Sequence, residues 1–182
     1  GARQRAGRNE EALAALAAAA ALAPPDDDSL FDTGVAACEL GRWDQAKTAL
    51  ESLLARRPDW HEVHKYLGRA AVGLGLGDVA LASYARALEA APSLVEAHAA
   101  IGPILLAQGR DDEALVSLEH ACAGMPDDGA LHAAFGSALL RVNQFERAIA
   151  ALERAAFLRP RDARVFFDLG VAYAAEEKWS LA

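Results

Sequence analysis

Several things are scarce in this 182-residue chain, and each scarcity excludes something. There are two cysteines, Cys38 and Cys122, far apart and in no CxxC arrangement. Neither a disulfide framework nor a thiolate metal site is suggested, and both read as small buried thiols. No apolar run approaches the ~20 residues a membrane-crossing helix needs. Strongly β-prone residues are few. Bases are outnumbered, 18 Lys and Arg against 26 Asp and Glu, for a net charge of −8. Nucleic-acid binding therefore lacks its main driving force. What remains is abundant: alanine and leucine lead a 53% hydrophobic content, which excludes a disordered chain and favours helices. The opening "RQRAGR" before "ALAALAAAAALA" has the outline of a secretory signal. Glu10 and Glu11 interrupt the join and no Met precedes it, so the segment reads as part of the fold and the expected location is the cytoplasm.

Proline carries the organising pattern. Pro24, Pro58, Pro92, Pro126 and Pro160 follow one another at steps of 34 residues. Glycine keeps the same step at 34, 68, 102, 136 and 170, and alanine at 12, 46, 80, 114, 148 and 182. A further column runs Gly7, Gly41, Gly75, Gly109 and then Asn143. Asparagine is the other residue that tolerates the left-handed conformation at a helix end. Each period divides into two helical stretches of about a dozen residues. In one, Gly109 closes the first stretch, Asp111 is expected to cap the second, and Pro126 stops it. The glycine and alanine columns let the paired helices approach closely. Pro103 alone among the prolines from Pro58 on lies off the ladder, inside a helical stretch that continues to Gly109, so a kinked helix is expected.

The 34-residue period, the small-residue columns and the ladder proline resemble the tetratricopeptide repeat (TPR) family. The resemblance implies an all-α, right-handed α-solenoid of stacked helix-turn-helix repeats. Complete repeats would occupy 27–60, 61–94, 95–128 and 129–162, with 1–26 the second helix of a partial repeat and 163–182 the first helix of another. Both ends then cut through a repeat, as in a fragment of a longer array, and would stack on another copy.

By the same resemblance, the first helices line a concave groove. The candidate groove residues are Phe31, Val35, Lys65, Arg69, Ala99, Pro103, Leu106, Ala133, Leu140, Arg141, Arg164 and Phe167. This stripe has an apolar middle, aromatics at both ends and four cations, suited to an amphipathic or extended peptide carrying acidic residues. Packing of Phe31 and Phe167 against neighbouring helices, with the cations merely solvated, is the alternative. Pro103 deprives the Ala99 carbonyl of its usual donor, leaving it for a ligand or water. Two family binding modes are not matched. Of the clamp for chaperone C-terminal tails, Lys65 fits while Arg69, Ala100, Ala130 and Ala134 do not. Where the O-glycosyltransferase arrays carry an asparagine ladder, this chain has Asp32, Tyr66, Ala100, Ala134 and Asp168.

Catalytic and metal chemistry find no support. His64, His98 and His132 recur one repeat apart, and neighbouring helices stand about 8–10 Å from one another, too far for a shared zinc ion. They read as packing residues. "HEVH" at 61–64 has no third ligand, and "GLGLG" at 73–77 follows a helix and contains Gly75, so it reads as a turn. The segment 95–128 carries −6 and 129–162 carries +2, an asymmetry that would orient a partner or a neighbouring repeat. The expectation is a protein- or peptide-binding scaffold with no catalysis, no cofactor and no metal, its partner unidentified. The alternative is the substrate-positioning TPR portion of a larger enzyme of the glycosyl- or sulfotransferase type.

Overall fold

The computed structural model describes the backbone of residues 2–180 and the side chains of residues 6–177. Ten helices and no strand occur among them, in two compact units, Gly1–Pro92 and Ser93–Ala182. The first unit contains α1 (Ala2–Leu22), α2 (Asp27–Glu39), α3 (Trp43–Leu54), α4 (His61–Gly73) and α5 (Gly77–Ala90). The second contains α6 (Val95–Ala107), α7 (Asp111–Gly124), α8 (Gly129–Arg141), α9 (Phe145–Leu158) and α10 (Ala163–Ser180). Within each unit every helix packs on its sequence neighbour, and alternate helices also touch: α2 with α4, α6 with α8, α8 with α10. Each unit is thus a solenoid of helical repeats, whose apolar faces are buried only against neighbours.

The helix ends follow from backbone sterics. Gly41, Gly75, Gly109 and Asn143 have φ of 69°, 71°, 73° and 60°, the left-handed values that end a helix. The residue after each closes the motif with a long back-bond, Arg42 N–H to the Ala37 carbonyl at 2.8 Å and Gln144 N–H to that of Leu139 at 2.9 Å. Gly7 departs from its column: it lies inside α1, which runs unbroken from Ala2 to Leu22 and makes no turn there.

Close packing explains the second glycine column. A Cβ at Gly68 would stand 2.9 Å from the Tyr84 ring, at Gly102 2.6 Å from Leu118 and at Gly136 2.5 Å from Leu152. Ordinary carbon contacts are about 3.5–4.0 Å. Gly34 meets Leu50 in the same way. Each large residue comes sixteen positions after its glycine and is buried, as are Ala46, Ala80, Ala114 and Ala148. These knobs and seats make up much of each unit's core.

Of the acids at helix starts, Asp26 and Asp128 are caps. Asp26 accepts from Ser29 N–H at 2.8 Å, Asp128 from Ala130 and Leu131 N–H at 2.9 and 3.2 Å. Hydrogen bonding from Ser29 holds the Asp26 carboxyl below its ordinary range. Asp111 is not the cap expected of it. Arg110 occupies that position without a side-chain bond, and Asp111 lies one residue inside the helix and pairs with Arg141 at 3.0 Å. The histidine column has a packing role: Nε2 of His64 and His132 donate to the carbonyls of the ladder prolines Pro58 and Pro126 at 2.9 and 3.0 Å, and His98 stacks on His120. α6 continues through Pro103 to Ala107.

Candidate functional site in the second unit

The candidate residues divide between the units. In the first, Phe31 stacks on Trp60 with ring centroids 5.1 Å apart and meets Tyr66 edge-on at 5.7 Å. It belongs to an aromatic cluster, and packing accounts for it. The Lys65 ammonium lies over the Tyr66 ring at 4.4 Å, and Arg69 pairs with Glu39 at 2.8 Å. Val35 is half-buried on α2. Both candidate cations are thus held by neighbouring side chains of the same unit.

In the second unit, α6, α8 and the start of α10 enclose a cleft of about 470 Å³. Pro103, Leu106, Ala133, Arg141 and Arg164 all line it. Helical periodicity explains the grouping, since Pro103 and Leu106 are one turn apart on α6, and Ala133, Ser137 and Arg141 descend one face of α8. Three candidates fall elsewhere. Leu140 packs against the core formed by Leu139, Ala148 and Leu152, Ala99 is half-buried a turn before Pro103, and Phe167 is exposed outside the lining. Pro103 is exposed in the cleft wall, and as a proline it offers the Ala99 carbonyl no i+4 donor.

The cleft's charges are mostly compensated. Arg141 donates to the Leu106 carbonyl at 3.0 Å while pairing with Asp111, Arg159 pairs with Asp162 at 3.0 Å, and Ser137 donates to Asp168 at 2.7 Å. Arg164 is exposed, and its side chain makes no ion pair among the described residues. Ser137, Arg159, Asp162 and Asp168 were outside the candidate set. The repeat columns held Ser137 and Asp168, one period less three residues apart, but nothing in spacing alone showed that they bond.

The charge asymmetry is used inside the unit. Arg141, Arg147 and Arg154 reach back to Asp111, Glu119 and Asp127 at 3.0, 2.8 and 2.7 Å, joining basic and acidic repeats. Cys38 and Cys122 are both buried and in no disulfide, and the Cys38 thiol donates to the Tyr66 carbonyl at 3.6 Å. Burial first, then Asp128, pushes the Cys122 thiol up to about 11, so it is no nucleophile at neutral pH. Among the described residues no group of three or more His, Cys, Asp or Glu is gathered as a metal requires, and no helix is long and apolar enough to cross a membrane.

Family models for the tetratricopeptide repeat match residues 4–70 and 105–169 in one case and 66–126 in another. No curated protein matches the sequence. Among solved structures the chain is similar to MamA MSR-1, with 28% identity over 86% of this chain and 90% of that one at a TM-score of 0.70. It is similar to MamA AMB-1, also at 28%, over 86% of this chain and 85% of that one, TM-score 0.73. MamA from Desulfovibrio magneticus RS-1 is 22% identical over 85% and 88% of the two chains, TM-score 0.70, a likeness of fold.

Proposed function

The chain belongs to the tetratricopeptide-repeat family, and from that premise we propose that it is a non-catalytic scaffold whose second unit binds a short peptide segment in the α6–α8–α10 cleft. Family membership and the MamA-like fold support a protein-interaction scaffold. The peptide reading rests chiefly on Arg164. It is the cleft arginine with no ion pair among the described residues, beside a wall of Pro103, Leu106 and Ala133. A cation beside small apolar side chains suits an extended segment that presents an acidic side chain and a modest apolar one. Lys65 and Arg69, already engaged, are not part of this site.

Selection of a random-peptide display library on the immobilised chain tests the reading. Enriched peptides should share an acidic residue and lose at least about tenfold in affinity, roughly 1.4 kcal/mol, against Arg164→Glu. Lys65→Glu should leave them unchanged. Peptides that bind Arg164→Glu as well as the parent would remove the cleft from consideration.

A further inference from the structure

The peptide cleft of the second unit does not end at Arg164. Arg159, Asp162 and Arg164 line it and also line a second hollow, of about 650 Å³, at the turn between α9 and α10, where Arg161 joins them. This turn differs in charge from those before it. In the columns of Arg161 and Arg164 the earlier turns carry Asp59 and Glu62, Ser93 and Glu96, and Asp127 and Ala130. Its openness is common to the repeats. Asp59 and Asp127, in the column of Arg161 and each followed by a complete helix pair, have side chains 83% and 84% exposed.

Arg159 is fixed in place. Its stem lies against Gly129, where a Cβ would stand 2.6 Å from the arginine Cγ, and its guanidinium pairs with Asp162 at 3.0 Å. Asp162 is fully committed, since its other carboxylate oxygen accepts from the Arg164 backbone N–H at 3.1 Å. Arg161 and Arg164 are exposed, and neither side chain makes an ion pair among the described residues. Three arginines and one aspartate line the hollow, a local charge of +2 on a chain whose net charge is −8.

A carboxylate can occupy one guanidinium fork. A phosphoryl group carries about −1.5 to −2 and three strong acceptor oxygens, so it balances the local charge and can engage two forks at once. We propose that the acidic side chain taken by this cleft is a phosphoserine in an extended peptide, held by Arg161 and Arg164 in the field of the fixed Arg159. The proposal rests on the peptide reading of the cleft and names its ligand class. A peptide fits better than an anionic membrane as the source of the phosphoryl group. The hollow opens into a concave wall of Pro103, Leu106 and Ala133 that suits a neighbouring side chain, and a net charge of −8 is repelled by an anionic surface.

A degenerate library of short peptides with a fixed central phosphoserine, passed over the immobilised 182-residue chain, tests this. Retained sequences are resynthesised with phosphoserine, glutamate or serine at the centre, and their affinities are measured by fluorescence anisotropy. The phosphoserine form should bind at least about tenfold more tightly than the glutamate form. Arg161→Ala, a change at an exposed position, should remove most of that margin, and Arg164→Glu should weaken both forms. Equal affinity of the phosphoserine and glutamate forms overturns the proposal, as does a margin that survives Arg161→Ala or a library from which nothing is retained. The peptide reading itself stands in those cases if glutamate-bearing peptides still depend on Arg164, and falls with the proposal if they do not. Binding of vesicles containing a phosphoinositide, with no phosphopeptide bound, also overturns it and assigns the arginines to a membrane surface.

Discussion

The same substitution at two equivalent glycines should have different effects. Gly136→Ala and Gly170→Ala both replace a mid-helix glycine, and both gain about 1 kcal/mol of helix propensity. At Gly170 nothing opposes that gain, because a Cβ there meets no atom within 4 Å. At Gly136 it would stand 2.5 Å from Leu152 Cγ and 2.8 Å from Cδ2. Leu152 is fully buried among Leu139, Ala148, Ala151 and Ala172 and has nowhere to retreat. Overpacking of this kind costs about 1–3 kcal/mol. Gly170→Ala should therefore stabilise by about 1 kcal/mol, while Gly136→Ala should fall between neutral and about 2 kcal/mol destabilising. Both residues lie in the second unit, so far-UV circular dichroism during urea or thermal unfolding reads them on the same transition. For a unit of this size, 1 kcal/mol moves the midpoint by about 4–8 °C. The variants should differ by at least ~4 °C, compared at a concentration where the chain is monomeric. Equal upward shifts would refute the packing account of the glycine column.

Four other outcomes follow from the same geometry. Leu50→Ala empties a fully buried position in the first unit and should destabilise that unit by about 2–5 kcal/mol in denaturant unfolding. Asp128→Ala removes the acceptor for two N–H groups at the start of α8 and should cost about 0.5–2 kcal/mol, with Asp128→Asn restoring most of it. The folded Cys122 thiol holds its proton up to about 11 against an ordinary 9.0. Its contribution to stability is complete below pH 9 and disappears as pH rises toward 11, so denaturant midpoints should fall across that window in the parent and less in Cys122→Ala. Alkylation of the native chain at neutral pH should be slow at both cysteines and rapid in urea.

The helix ends were legible because a left-handed turn admits few residues. Gly41, Gly75, Gly109 and Asn143 announce such turns in sequence alone, and the structure has all four at positive φ. Gly7 bears the same mark without the turn, because it lies inside the unbroken α1. The small-residue columns revealed close approach in the same way. Side-chain engagement was not legible. Whether Arg69 is free depends on Glu39 one helix away, and Phe31 is absorbed by Trp60 across a repeat step. These are matters of distance between helices, which periodicity does not encode. Asp111 was misread by a single residue, enough to turn a cap into an ion-pair partner of Arg141. The cleft residues Pro103, Leu106, Ala133, Arg141 and Arg164 share one wall because they share helical faces, and spacing does encode that.

The constant sixteen-residue distance from each glycine seat to its knob has a kinetic consequence. Every such contact closes a loop of the same short length, so the entropy lost in bringing its ends together is small and nearly equal from repeat to repeat. With mostly local contacts the chain has low contact order, and its folding is expected to be fast, starting wherever a pair of helices first docks and spreading outward. A change in chain length between a knob and the next seat leaves every such pairing intact, whereas one inside the sixteen residues carries the knob off its seat. Length is thus free to vary between helix pairs and fixed within them.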